Sequence, residues 1–203
     1  MLDDWRDRRR VDAPVSTMNH PSTPIRLEVI CGPMFAGKTT ELMSRIAQAQ
    51  SAKMRVLTVK PTRDTRYGHS EIVTHTGLRF PAIAVDRIAD VLEHTHDFVA
   101  IDEIHFFAAE AVAPIQALLA RGTRVVVAGC DIDHFGDVFA PFDALIPMAD
   151  SVIRIAGTCA RCGAPSTHSE RISAVTDRII VGGIGDFHAT CAACFRPSVR
   201  PPA

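Results

Sequence analysis

Residues 32 to 39 read Gly32-Pro33-Met34-Phe35-Ala36-Gly37-Lys38-Thr39, a G-x-x-x-x-G-K-T run whose residue types suit a chain of phosphates. In such a loop, backbone N–H groups surround the phosphate oxygens, Lys38 brings a positive charge to the β- and γ-phosphates, and Thr39 offers a hydroxyl to Mg2+. Two carboxylates, Asp102 and Glu103, follow the apolar run Phe98-Val-Ala-Ile101. Asp102 can hold Mg2+ directly or through water, complementing Thr39, which leaves Glu103 free to take a proton from an attacking hydroxyl or water. Four cysteines form two short-spaced pairs, Cys159-x-x-Cys162 and Cys191-x-x-Cys194, with 28 residues between them. Four thiolates on two tight turns suit one tetrahedral zinc with no open position, hence a structural ion. The spacing leaves two alternatives, a redox dithiol and a three-cysteine site completed by His188.

Each set needs elements to carry it. The alternating run 27–31 reads as a strand and the polar run 40–50 as a helix, so the loop sits on a strand-to-helix turn. The rhythm continues with strands at 54–60, 98–101, 125–128 and 152–156, and helices at 38–51, 86–93 and 109–121. A polar loop is expected over 61–77. Strands this apolar suit a mainly parallel sheet covered on both faces. A strand ending in Asp102-Glu103 delivers both carboxylates to the carboxyl edge, where open α/β sheets bind ligands. The helical rhythm stops near Gly157. The expected organisation is a phosphate-loop domain over 25–157 and a small zinc-binding domain over 158–196, with a flexible tail over 197–203. The charged, proline-bearing segment 1–24 has no apolar periodicity and is read as disordered, with Met18 as a plausible alternative start.

Other residues carry weaker signals. Gly182, Gly183 and Gly185 follow the β-branched run Ile179-Ile-Val181, which fits either a hairpin turn of the zinc domain or a loop closing over a substrate. Cys31 and Cys130 end or follow apolar strands and read as buried thiols. His94 and His96 read as solvated, and His20, His69, His75 and His168 lack ligand spacing. His105 and His134 stand out only by falling beside the carboxylate edge and in the loop after 125–128.

Composition narrows the function classes. The chain has 203 residues, 47% of them hydrophobic, enough for one large domain with or without a small appendage. It contains no apolar stretch of membrane-spanning length and no signal-peptide segment, so a cytoplasmic protein without membrane contact is expected. A formal net charge of −1 without a dense basic run argues against a nucleic-acid partner. Six cysteines in such a chain point to metal or free thiols before disulfides.

Taken together, Gly32-Pro-Met-Phe-Ala-Gly-Lys-Thr-Thr-Glu-Leu-Met43, Asp64-Thr-Arg-Tyr67, Asp102-Glu103 with Phe106-Phe107, and the two cysteine pairs resemble the thymidine kinases of the zinc-containing, cytosolic type. The resemblance runs from about Arg26 to Phe195. It implies a RecA-like α/β domain that binds ATP, a zinc-stapled lasso over the nucleoside, and assembly as a homotetramer. It further implies that Glu103 deprotonates the sugar 5′-hydroxyl, that Lys38 and Mg2+ stabilise the transferring phosphate, and that Arg66 lies near the reacting groups. Thymidine or a related pyrimidine deoxynucleoside would sit among Met34, Phe106 and Phe139, with main-chain groups of Val181, Gly182 and Gly183 reading the base edge. Four positions depart from the family pattern near the base or sugar. His105 replaces a glutamine, Cys130 a leucine, Ser169 a threonine and Phe187 a tyrosine, so the reaction is implied more directly than the substrate. Two rivals share parts of the pattern: an ATPase in which Glu103 orients water, and a nucleotide-binding module whose zinc ribbon docks a partner.

Overall fold

The protein is described by a computed structural model covering residues 25–66, 68, 70–74, 77–174, 177–183 and 185–200. The 1–24 segment with Met18 and His20, together with Tyr67, His69, His75 and the last three positions of the 197–203 tail, lies outside the described residues.

The phosphate-loop run sits between strand β1 (Leu27–Cys31) and helix α1 (Lys38–Ser51). Every β1 residue is buried, and α1 buries Leu42, Met43, Ile46 and Ala49 at helical spacing. The chain continues through β2 (Val56–Pro61), β3 (Glu71–Val73), β4 (Arg79–Pro81) and β5 (Ile83–Val85). After β6 (Phe98–Ile101) come α2 (Val112–Ala120), β7 (Arg124–Gly129), α3 (Phe142–Met148) and β8 (Ser151–Arg154). Six strands form one sheet in the order β5-β2-β6-β7-β1-β8, with every pairing parallel. The strand carrying the phosphate loop and the strand ending in the carboxylates are therefore not neighbours. β7 lies between them, Val127 facing Val29 on one side and Val125 facing Val99 on the other. This is the RecA-like arrangement.

Successive residues of the central strands point to opposite faces. Leu27, Val29, Val99, Ile101, Val125 and Val127 pack with Ile115, Leu118, Phe142 and Leu145 on one face. Ile30, Phe98, Ala100, Val126 and Ala128 pack with Leu42, Met43 and Ile46 of α1 on the other. Both faces are dry, which accounts for the unbroken apolar runs.

Several expected elements differ in detail. The 86–93 helix is a 3-10 segment over Ile88–Glu93. The 109–121 helix is preceded by a 3-10 segment, Ile104–Ala111, kinked at Ala108 (φ 51°), and only then becomes α2. Pro114 is accommodated there because the first turn of a helix needs no N–H from it. The expected loop over 61–77 contains β3, paired antiparallel with β4, while β5 adds a parallel edge strand beside β2. Three-residue strands are too short to show alternation, and α3, seven residues long with Pro147 inside, is too short to show a helical period.

Beyond β8 the chain forms two small antiparallel pairs. β9 (Gly157–Thr158) meets β10 (Pro165–Ser166), and β11 (His168–Arg171) meets β12 (Phe187–Thr190). Their ends bring the four spaced cysteines together.

Candidate active site

The phosphate loop takes its shape from two glycines. At Gly32 (φ 145°) a Cβ would lie 2.1 Å from the Ile155 carbonyl oxygen, so only glycine lets the loop pass the end of β8. Gly37 (φ 92°) turns the chain into α1. Lys38 is buried, with Nζ donating to the Pro33 carbonyl at 2.6 Å. Burial alone would lower its pKa, but nearby Cys130, Glu103 and Asp102 outweigh this and raise it. Thr39 Oγ1 donates to Asp102 Oδ2 at 3.1 Å, so the two sequence-distant motifs meet across the sheet edge.

Glu103 has left-handed backbone geometry (φ 51°), an uncommon conformation for a non-glycine residue, and lines the cavity. Its Oε1 is ion-paired to Arg66 and its Oε2 lies 3.6 Å from His105 Nδ1. Arg66 is itself clamped by Asp64, through Nε to Oδ1 at 2.7 Å and Nη2 to Oδ2 at 3.1 Å. Asp64 is in turn 3.6 Å from Nζ of the fully buried Lys60, which donates to the Gly68 carbonyl at 2.9 Å. Alternating charges thus run from Lys60 through Asp64 and Arg66 to Glu103. Burial works against ionised Glu103, but Arg66, then His105 and Lys38, outweigh it and hold the carboxyl down to about 2. Asp102 goes the other way, pushed up to about 7 by burial and by the neighbouring Glu103 charge. His105, wedged between Phe106 and Phe139 with ring centroids 4.4 and 5.1 Å away, is lowered to about 4, chiefly by burial.

These groups open on one cavity of about 290 Å³. Among residues singled out from the sequence, it is lined by Met34, Phe35, Ala36, Gly37, Lys38, Thr39, Arg66, Asp102 and Glu103, and by Phe106, Cys130, Phe139, Ser169, Gly182 and Phe187. Gly32, Pro33, Val181 and Gly183 do not line it. The first two shape the loop from behind, Val181 is exposed, and the Gly183 N–H donates to Asp186 Oδ2 at 3.0 Å. Gly182 is spatially constrained, since a Cβ there would lie 2.7 Å from the Phe187 ring. Sequence reasoning assigned no role to Lys60, Asp64, Asp133, Arg178, Ile179 or Ile180, all of which line the cavity. Asp64 stood within the quoted Asp64-Thr-Arg-Tyr67 run, whereas nothing in the local pattern distinguished Asp133 or Arg178. His105, expected near the base or sugar, and His134, noticed only for its position, both line it.

The four spaced cysteines form a compact donor set. Their sulfurs lie within 4.8 Å of one another, with Cys162 and Cys191 3.6 Å apart. A tetrahedral site with Zn–S of about 2.3 Å has sulfurs about 3.8 Å apart, so the set fits zinc. Backbone N–H groups of Cys191, Arg161 and Cys162 stabilise the Cys159 thiolate, pulling its thiol down to about 6. His188 lies outside the cluster, opposite Glu170 in the β11–β12 pair. Cys31 and Cys130 are buried free thiols, as their settings suggested. The module reaches the phosphate loop directly, because the Met34 N–H donates to Ser169 Oγ at 2.9 Å. Gly157 also lies against the loop, where a Cβ would sit 3.5 Å from Ala36 Cα.

A RecA-like sheet, a phosphate loop joined to a strand-end carboxylate, and a four-thiolate ribbon beside one cavity define a P-loop phosphotransferase with a zinc-binding appendage. Residues 25–195 match the family described as "TK: Thymidine kinase". The chain is 38% identical over 193 residues to proteins named thymidine kinase from two strains of Chloroflexus aurantiacus, covering 90% of this chain and 100% of theirs. It is 37% identical over 173 residues to a thymidine kinase of a Rhodothermus species, covering 84% of this chain and 81% of that one. The chain belongs to the thymidine kinase family. It is an enzyme that phosphorylates thymidine.

Proposed function

We propose that the chain transfers the γ-phosphoryl group of ATP to the 5′-hydroxyl of thymidine and of deoxyuridine, giving the monophosphate and ADP for nucleotide salvage. The observation that carries this reading is the division of labour between adjacent carboxylates. Asp102 is engaged by Thr39 at the phosphate loop, while Glu103 has one oxygen on Arg66 and lines the cavity. Asp102 and Thr39 are the residues that would hold Mg2+, which neutralises phosphate charge when bound. Lys38 and the backbone of 32–39 bind the β- and γ-phosphates. Glu103 accepts the 5′-hydroxyl proton as the O–P bond forms. A carboxyl held to about 2 is a weak base, yet it suffices because the attacking hydroxyl surrenders its proton late in a loose phosphoryl-transfer transition state. Arg66 keeps that carboxylate ionised and oriented, and Asp64 keeps Arg66 in place.

The nucleoside base occupies the space between Met34, Phe106, Cys130, Phe139, Ser169 and Phe187, with the Gly182 backbone at its edge. Beside it, Gly183 is fixed by Asp186, its N–H donating to Asp186 Oδ2 at 3.0 Å and its carbonyl accepting the Asp186 N–H, while Val181 contributes main-chain groups at the edge of the slot. Zinc on Cys159, Cys162, Cys191 and Cys194 is structural and supports a lasso domain over 158–196, distinct from the ATP-binding domain over 25–157. The working enzyme is a cytoplasmic homotetramer that binds neither nucleic acid nor membrane.

The test is turnover across a nucleoside panel with ATP and Mg2+, together with Glu103→Gln. Thymidine and deoxyuridine are expected to give monophosphates with stoichiometric ADP, and purine nucleosides to be poor. Glu103→Gln is expected to retain nucleotide binding while kcat falls about 10²- to 10⁴-fold. ADP release that is indifferent to nucleoside would instead indicate an ATPase. Wild-type turnover in Glu103→Gln would remove the base assignment.

A further inference from the structure

Asp133 is a buried carboxylate on the loop after β7, in the body of the α/β domain. Its Oδ1 accepts the N–H groups of Phe135 and Asp137, both at 2.9 Å, and the Asp133 N–H donates to the Asp137 carbonyl at 2.8 Å. The 133–137 turn is therefore rigid and its Oδ1 is already engaged. Its Oδ2 accepts Arg178 Nε at 2.6 Å. Arg178 belongs to the other part of the molecule, the excursion between β11 and β12 that carries Ile179, Ile180 and Gly182 into the cavity wall. Its Nη2 donates to the Val138 carbonyl at 3.2 Å, and its guanidinium lies 5.5 Å from the centre of the Phe139 ring, another cavity wall. One arginine thus grips the buried carboxylate, the backbone and the aromatic face of the loop opposite. The excursion's base is closed separately, through the Ile172 N–H to the Asp186 carbonyl at 2.8 Å.

We infer that Arg178 is a positioning residue for the nucleoside, locking the β11–β12 excursion to the Asp133 turn so that Phe139 and the Ile179–Gly182 backbone form one fixed slot. The inference rests on the nucleoside reading of the cavity. A buried carboxylate that loses its charged partner must be rehydrated, so without Arg178 the excursion is left held to the turn by the 3.3 Å contact between His134 Nε2 and the Asp177 carbonyl, and the slot loosens. Among the described residues, neither Lys38 of the phosphate loop nor Asp102 at the end of β6 hydrogen-bonds or ion-pairs with Arg178, and the four clustered cysteines lie between β9 and β10 and after β12. The defect should therefore appear in nucleoside KM and leave nucleotide affinity and zinc content intact. A merely structural arginine would lower thermal stability and affect both substrates alike.

The experiment measures steady-state kinetics for the full chain and for Arg178→Gln, Arg178→Lys and the double variant Asp133→Asn with Arg178→Gln. Arg178→Gln is expected to raise thymidine KM about 10- to 100-fold, with ATP KM and zinc content unchanged and kcat within about threefold. Arg178→Lys should recover part of the loss, since an ammonium still answers the buried carboxylate. The double variant should be no worse than Arg178→Gln alone, because the amide at position 133 leaves no unanswered buried charge. Unchanged thymidine KM in Arg178→Gln, or equal rises in both KM values, would overturn the inference. A wild-type enzyme that ignores thymidine would overturn the nucleoside reading instead, so the two failures are distinguishable.

Discussion

His105 lies 3.6 Å from the reacting carboxylate, outside the run of alternating charges from Lys60 to Glu103. Two aromatic rings enclose its imidazole, and Nδ1 has no hydrogen-bond partner among the described residues. Burial lowers its pKa from 6.5 to about 4, with Lys38 and Arg66 adding to the shift against Glu103 and Asp64. The sign for stability follows from proton counting. Between those two values the unfolded chain binds a proton that the folded chain refuses, so acidification from 6.5 towards 4 favours unfolding. The contribution is complete above 6.5 and amounts to at most about 1.4 kcal/mol per pH unit inside the window. His96, His134 and His168 are lowered as well and add to that acid slope, whereas Asp102, raised to about 7, takes up its proton more readily in the folded chain and opposes it across the same window. His105→Gln is expected to flatten part of that slope, read as thermal midpoint against pH. An unaltered slope would mean that His105 is not held neutral.

At the scale of elements, the short β11–β12 pair matters more than its length suggests. It places Ser169 against the Met34 N–H and sets the Phe187 ring so close to Gly182 that no Cβ fits between them. Gly182→Ala should force the ring or the backbone aside, costing about 1–3 kcal/mol locally and raising nucleoside KM by about tenfold. A normal KM would show that the ring relaxes without disturbing the slot. Phe187 and Ser169 also lack a phenol oxygen and a methyl group, respectively, that tyrosine and threonine would present. Each such contact contributes about 1 kcal/mol to discrimination, so thymidine and deoxyuridine should be used at similar kcat/KM. Phe187→Tyr with Ser169→Thr is expected to widen the ratio, and an unchanged ratio would relieve these two residues of that role.

For the molecule as a whole, the large sheet and the short strand pairs beyond β8 differ in how much each buries. The six-stranded sheet has a dry core on each face, whereas the pieces β9 to β12 are two to four residues long and cannot stand by their own burial. Four thiolates on one zinc contribute on the order of 10 kcal/mol to folding such a module. Cys191→Ser is expected to abolish thymidine phosphorylation and make the 158–196 region protease-sensitive. Nucleotide binding should fall only a few fold, through loss of the Ser169 contact to Met34. Fully reduced protein that contains no zinc yet resists proteolysis there would refute the structural role.

How much was legible beforehand follows from how local each signal is. The phosphate loop, the strand ending in Asp102-Glu103 and the paired cysteines announce themselves because glycine turns, strand-end carboxylates and two-residue thiol spacings are local geometry. The α/β rhythm is equally local where elements are long enough to show a period. Local pattern did not extend to β3, β4, β5 and α3, which are too short to show one, or to β7 lying between the two phosphate-site strands. The motif pattern did join Thr39 to Asp102 as partners at one magnesium site, but it paired neither Arg66 with Glu103 nor Arg178 with Asp133. Those contacts join positions that parallel crossovers and a long excursion bring together. Only tertiary structure decides them, because burying a charge is tolerable only when a specific distant partner arrives to answer it.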